Sequence, residues 1–263
     1  MIILMTGGSG LLGKEILKLD PTIIAPSSSE LDPVRSLARA RGASPEDLGV
    51  ATSNGMDITD FNSVLRAVEK YNPDVVLHLA AATKPPEHAK NPELGLTVNI
   101  IGTANVARAC VRFGKKLVYT STDYVYVGKG PHKEEEPLWS PYNFGWSKLG
   151  GECAVRLVPD YLILRLSFGP VPFPWDKVYD NQYNSKLYVD EMAPLILASA
   201  KSTVRGVMNV GGPRMSLADY AKRTRSDIQL IPTPDWVPKD TSLDITKMKK
   251  ELKISNEKKL LKH

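Results

Sequence analysis

Residues 5–15 read "MTGGSGLLGKE" and lie between a short apolar run, "IILMT", and a stretch with helical spacing, "LLGKEILKL". Gly7, Gly10 and Gly13 are spaced G-x-x-G-x-x-G. A glycine-rich turn from a first strand into a first helix lets backbone N–H groups approach a pyrophosphate closely, at the positive end of the helix dipole. The triplet is weak evidence alone; its place at the first strand–helix junction makes it strong. A phosphate loop of another kind fits less well. Gly8, Gly13 and Lys14 satisfy G-x4-G-K, but Glu15 stands where a magnesium-binding Ser or Thr is needed. A merely tight turn is the structural alternative.

The rest of the chain alternates strand and helix. "TIIAP" reads as a second strand, with a helix near "PVRSLARA" after it. "DFNSVLRAVEKY" reads as a helix with Asp60 as N-cap, and "DVVLHLAA" as a long apolar strand. "ELGLTVNIIGTANVARACVRF" reads as a long helix stopped by Gly114, followed by the strand "KKLVYTST". A helix containing Lys148 and the strand "DYLILRLS" come next. Such alternation predicts an α/β fold, a doubly wound parallel sheet with helices on both faces. After Phe168 the texture changes. "GPVPFPW" carries three prolines, and shorter elements follow: helices at "DEMAPLILASA" and "SLADYAKRT", strands at "GVMNVGG" and "IQLIPTP". The expected division is a dinucleotide-binding domain over 1–169 and a small substrate lobe over 170–263. The lobe would rest on the carboxyl edge of the sheet, where open α/β sheets bind ligands, and its elements can interleave with the first domain.

An acid at the end of the second strand usually holds the adenosine ribose and disfavours a 2′-phosphate. Here Ser27, Ser28 and Ser29 occupy that region, Glu30 comes late, and Arg35 and Arg39 follow. NADP is therefore favoured weakly over NAD. "GMDITD" places Asp57 at the end of a further short strand, to accept from an adenine amino group or to serve as a turn residue.

Together these segments resemble the extended short-chain dehydrogenase/reductase family. The matching stretches are "TGGSGLLG" (6–13), "GMDITD" (55–60), "LHLAAAT" (77–83), Asn99 in "TVNIIGTANVARAC", "LVYTSTDYVYVG" (117–128) and "FGWSKLGGE" (144–152). "TSTDYVYVGKGPHKEEEPLWSPYN" and "DNQYNSKLYVDEMA" are most similar to the dTDP-4-dehydrorhamnose reductases and related nucleotide-sugar reductases within it. The resemblance implies a Rossmann-type sheet and an NAD(P)-dependent reduction of a nucleotide-linked 4-keto-6-deoxysugar. It places the cofactor against Gly7, Ser9, Gly10, Leu11, Leu12, Gly13, Ser27, Asp57, Ile58, Leu79, Ala80, Ala81, Asn99 and Lys148. It places the substrate near Thr83, Asp123, Tyr124, Arg165 and Ser167. It also implies a homodimer pairing helices at 92–113 and 143–157, where Ile100, Ile101, Ala104 and Ala107 either supply apolar surface or pack on the sheet.

The family's catalytic set is a Ser or Thr, a Tyr and a Lys, which fall on Thr122, position 144 and Lys148. The tyrosine position holds Phe144. Hydride delivery to a ketone leaves an alkoxide that needs a proton, and a phenol activated by a nearby ammonium supplies it. Phe144 has no such oxygen. Tyr142 lies six residues before Lys148, about 120° away on a helix. Asp123, Tyr124 and water are other candidate donors. The chain is thus a natural non-catalytic cofactor binder, an enzyme with a relocated acid, or a frame carrying an introduced substitution. A non-catalytic form would act through a protein partner, as the regulatory subunit of methionine adenosyltransferase in the same group does; an epimerase or dehydratase of the superfamily is a further alternative. The helix usually following the Arg165–Ser167 strand is missing, and Lys186–Leu187 replaces a frequent Pro–Thr pair.

Other classes find little support. The net charge of +5 is modest, and no basic patch with interleaved aromatics suggests nucleic acid. Cys110 and Cys153 form no CxxC pair, and His78, His88, His132 and His263 show no zinc spacing, so no metal is expected. His78, inside an apolar strand, is expected in the core. No leader or membrane-length apolar run is read, and a cytoplasmic location is expected.

Overall fold

The computed structural model of the chain describes residues 1–27 and 55–263. The helix at "PVRSLARA", together with Ser28, Ser29, Glu30, Arg35 and Arg39, lies outside the described residues.

Among the described residues, five parallel strands form the central sheet: β1 (Ile3–Thr6), β2 (Val75–His78), β3 (Lys116–Thr120), β4 (Tyr161–Leu166) and, later in the chain, β9 (Gly206–Val210). Their order is β1-β2-β3-β4-β9. Registers such as Leu4 with Val76, Val76 with Leu117 and Ile163 with Val207 align the apolar runs. Side chains alternate between two cores, as the pleat requires. Ile3, Met5, Leu77, Val118, Leu162 and Leu164 enter one core, and Leu4, Val76, Leu117, Tyr119 and Ile163 enter the other.

The first core is covered by α1 (Leu11–Leu19) and α6 (Val189–Lys201), through Leu12, Ile16, Met192 and Ile196. The second is covered by α2 (Phe61–Tyr71) and α4 (Pro92–Phe113). Asp60 caps α2 by accepting from the Asn62 amide, and Gly114 ends α4 with φ of +61°. Two further helices border the ligand edge, α3 (Pro85–Lys90) and α5 (Asn143–Val155).

Helix α4 contains a π-helical stretch, Gly95–Gly102, that a periodicity argument did not foresee. By length and composition α4 can cross a membrane, with a mean hydropathy of 1.3, contrary to the expectation that no apolar run is long enough. Half of that window is buried in the protein, where Val106, Ala109 and Cys110 pack on the sheet. Ala107 is also buried there, while Ile101 is exposed.

Two further expectations are corrected. "TIIAP" forms no ladder; it adds a single parallel bridge, Leu4 with Ile24, through Ile24 N–H to Ile3 and Met5 N–H to Ile24. Asp57 does not end a strand, because Gly55–Asp57 is irregular and Asp57 starts a turn. β9 and α6, both beyond residue 169, complete the main sheet and its cover, so elements of the two regions interleave. The burial of an apolar strand like β9 is best met beside β4. What is left of the second lobe is built from short pairs. These are β5 (Phe168–Gly169) with β8 (Leu187–Tyr188), β6 (Lys177–Tyr179) with β11 (Gln229–Ile231), and β7 (Tyr183–Asn184) with β10 (Met215–Ser216). They pack with α7 (Leu217–Lys222), and α8 (Thr246–Glu251) packs against β9.

Arg165 on β4 and Glu152 on α5 form a bidentate pair inside the protein, Nε to Oε1 at 3.0 Å and Nη2 to Oε2 at 2.8 Å. Arg165 also donates to the Tyr126 hydroxyl at 2.7 Å and the Glu134 carbonyl at 3.0 Å. Removing one partner leaves the other charge buried and uncompensated. Glu152→Ala is expected to lower unfolding free energy by about 3–5 kcal/mol. Urea denaturation followed by circular dichroism checks this; an unchanged midpoint contradicts it.

Candidate functional site

A cleft of about 1060 Å³ opens at the carboxyl ends of β1–β4. Gly7, Ser9, Gly10, Leu11, Leu12, Gly13, Ser27, Asp57, Ile58, Leu79, Ala80 and Ala81 line its first half. Thr83, Thr122, Asp123, Tyr124, Phe144, Lys148 and Ser167 line the second, with Lys186 and Trp175 from the smaller lobe. The cleft therefore brings together the predicted residues, apart from Asn99 and Arg165.

Gly7 has φ of +74°, and a Cβ there would lie 2.7 Å from the Ala80 amide nitrogen. A Cβ on Gly13 would run into the Gly7 carbonyl oxygen. The turn is thus packed backbone to backbone against the loop after β2. Helix α1 starts at Gly10 with no side-chain cap and no acid in its first turn. Its initial N–H groups are left for an anion. The buried Ser121 hydroxyl, also in the lining, has no partner among the described residues. These features fit an extended anionic dinucleotide. Asp57 lines the same half, and its Oδ1 accepts from both the Thr59 amide and hydroxyl, at 2.9 and 2.7 Å.

The loop after β2 is held by groups to which the sequence reading gave no such role. Thr6 Oγ1 accepts from the amides of Leu79 and Ala80, at 3.2 and 3.0 Å. With both lone pairs used, its hydrogen goes to His78 Nδ1, 2.7 Å away. His78 Nε2 then donates to Thr103 at 3.0 Å. Burial lowers the His78 pKa to about 3, so this core histidine is neutral. Asn99 is fully buried in the π segment. Its Oδ1 accepts from Ala82 N–H at 2.8 Å, and its Nδ2 donates to Ala82 carbonyl and Ser147 hydroxyl, both at 2.9 Å. Asn99 therefore ties the cleft wall to α5 and does not itself line the cleft. Arg165 is committed to Glu152 and Tyr126, and likewise does not join the lining.

Lys148 is 3% exposed, its Nζ 4.2 Å from the centre of the Tyr119 ring. Burial lowers its pKa from 10.5 to about 7, against the pull of Glu152. Phe144, one turn earlier, is also buried, its ring set edge-on to His88 at 5.4 Å and to Tyr124 at 6.5 Å. Tyr142 precedes α5, and its hydroxyl donates to the Trp236 carbonyl at 3.1 Å, outside the cleft lining. Thr122 accepts from the Tyr124 amide and donates to Asp123 Oδ1, both at 3.2 Å. Asp123 Oδ2 accepts from the Thr241 hydroxyl at 2.7 Å. Burial raises the Asp123 pKa, against Thr241 and the nearby Lys186. Burial in turn lowers that of Lys186. Thr241 was not visible as a site residue, because it lies more than a hundred positions away in a polar turn.

Residues 1–171 match the family model described as RmlD substrate binding domain. The chain belongs to the RmlD substrate-binding domain family. It is 36% identical over 160 residues to a dTDP-4-dehydrorhamnose reductase of Streptomyces griseus, covering 60% of this chain and 46% of that protein. It is 31% identical over 153 residues to the methionine adenosyltransferase 2 subunit beta of Xenopus laevis, covering 58% and 42%. The matched stretches thus span under half the length of these curated relatives. The structure is similar to that of the Bacillus anthracis dTDP-4-dehydrorhamnose reductase in complex with NADP, with a TM-score of 0.77 and 24% identity, covering 95% of this chain and 92% of that one.

Two outcomes follow from the cleft. Gly13→Ala forces the β1–α1 turn apart and is expected to weaken NADPH binding at least ~10-fold by fluorescence titration; unchanged affinity contradicts the cradle. For Lys148, the folded pKa lies below the unfolded one, so protonation favours the unfolded chain. That cost grows as pH falls from 10.5 to about 7 and is complete below. Lys148→Met should therefore raise the urea midpoint more at about pH 6 than at about pH 10; an equal gain contradicts the buried ammonium.

Proposed function

We propose that the protein is an NAD(P)H-dependent reductase of a nucleotide-linked 4-keto-6-deoxysugar. The single observation that carries this reading is one cleft joining a glycine cradle for a dinucleotide to Thr122 and Lys148. A reduced nicotinamide bound there would supply a hydride to a carbonyl carbon. Lys148 is placed to bind the nicotinamide ribose, and its buried charge favours the developing oxyanion. Thr122 would donate to the substrate oxygen once its hydrogen is released from Asp123. Burial in the cleft keeps water from both groups. The name of the Streptomyces griseus relative supports a dTDP-linked sugar as the substrate. The serine-rich end after the Ile24 bridge and the NADP in the Bacillus anthracis structure favour NADP over NAD. Self-association through the exposed face of α4 and α5, where Ile101 and Trp146 lie, is part of the same proposal.

A second reading is favoured by Phe144. Without the phenol, the cleft binds cofactor and acts through a protein partner, as the likeness to methionine adenosyltransferase 2 subunit beta allows.

Stopped-flow oxidation of NADPH with a dTDP-4-keto-6-deoxysugar separates the two. The reductase reading expects turnover dependent on that sugar in the protein or in Phe144→Tyr. NADPH binding without turnover in either would sink the reductase reading in favour of the second.

A further inference from the structure

Resting on the reductase reading, we propose that Asp123 supplies the proton that position 144 cannot, passing it to the substrate through the hydroxyl of Thr122. The geometry of Thr122 carries the inference. A threonine hydroxyl has one hydrogen and two lone pairs. The Tyr124 amide already occupies one lone pair of Oγ1, at 3.2 Å. Asp123 Oδ1 lies 3.2 Å from the same oxygen. When Asp123 is a carboxylate, Thr122 turns its only hydrogen toward Oδ1. When Asp123 is a carboxylic acid, Oδ1–H fills the second lone pair. The hydroxyl hydrogen of Thr122 must then find another acceptor, and both residues line the cleft.

A proton on this carboxyl is directed to Oδ1. Oδ2 is engaged by the Thr241 hydroxyl at 2.7 Å. The side chain is 3% exposed. An ion there is desolvated, and burial favours the neutral acid. The charged and titratable groups around it are Lys186 from the segment before β8, the buried phenol of Tyr124 beside it, and Lys148 of α5 across the lining. Lys186 reaches in beside Gly169 and the Tyr220 ring and attracts the carboxylate once it forms.

The step balances. Hydride addition to the carbonyl carbon breaks the C=O π bond and leaves an alkoxide. The alkoxide takes the Thr122 hydroxyl hydrogen as a proton, and Thr122 Oγ1 takes the proton of Asp123 Oδ1. The alcohol is formed, the nicotinamide is left oxidised, Thr122 is restored, and Asp123 is left as a carboxylate that water reprotonates. Phe144 takes no part.

The test compares the protein, Asp123→Asn, Phe144→Tyr and the double variant, measuring NADPH binding and single-turnover oxidation with a dTDP-4-keto-6-deoxysugar across pH. Asp123→Asn should cut the rate by about 10²-fold or more with NADPH affinity kept, as loss of a general acid does. The double variant should recover most of it, since a phenol at 144 bypasses the relay; a merely structural Asp123 would not be rescued this way. In the protein the rate should fall as pH rises and Asp123 ionises, and in Phe144→Tyr that limb should move to higher pH. Infrared spectra of the cofactor-free chain should show a protonated carboxyl band, absent in Asp123→Asn, that titrates above the ordinary aspartate value of 3.8. Three results overturn the relay: no such band, an unchanged rate in Asp123→Asn, or turnover only when position 144 is tyrosine. The last two leave the reductase reading standing. Absence of turnover in the protein and in Phe144→Tyr removes both.

Discussion

The whole arrangement depends on backbone meeting backbone at the end of β1. Gly7 passes so close to Ala80 that no side chain fits between them, and Gly13 sits against the carbonyl of Gly7. That contact sets α1 close against the sheet edge, directs its uncapped N-terminus at the cleft, and seats the loop after β2. Thr6 and His78 lock the same loop with hydrogen bonds whose directions are forced by lone-pair counting. An anionic ligand is then offered rigid donors that need little reorganisation.

The other half of the cleft is held by burial of charge. Glu152 lies one turn beyond Lys148 on α5 and holds Arg165 on β4, so one carboxylate anchors the helix and attracts the lysine. Arg165 thus works in the protein's interior, at the cost of desolvating a pair that only good geometry offsets. Asn99 fastens the wall at 82 to Ser147 on α5, and the π segment of α4 carries it at that depth. The cofactor half and the chemistry half are therefore one rigid frame. Phe144 packs on this frame, its ring set edge-on to His88 and Tyr124.

Much of this was legible in the sequence. The apolar strands and the glycine turn announce a parallel sheet with a ligand edge, and Asp60 and Gly114 mark helix ends as expected. The failures have physical causes. "TIIAP" looks like a strand, but it meets β1 at one residue only. β9, beyond the proline-rich segment, joins the main sheet, an interleaving the sequence left open, because a buried strand seeks the open side of β4 regardless of its place in the chain. The family resemblance implies a substrate ligand at Arg165, yet its partner Glu152 lies on a different element, and pairing across elements has no local signal. Thr241 was out of reach for the same reason. Lys186 was noticed only as a departure from a pattern, and its meaning comes from the carboxyl it approaches.

The central claim is that the cleft passes a hydride from a nicotinamide to a sugar carbonyl despite Phe144. Deuterium labelling tests it most directly. Incubated with NADPH carrying deuterium at the transferring position and a dTDP-4-keto-6-deoxysugar, the protein should yield a sugar with deuterium bound at C4. Cofactor that binds tightly yet keeps its deuterium, with the sugar unlabelled, would contradict the account.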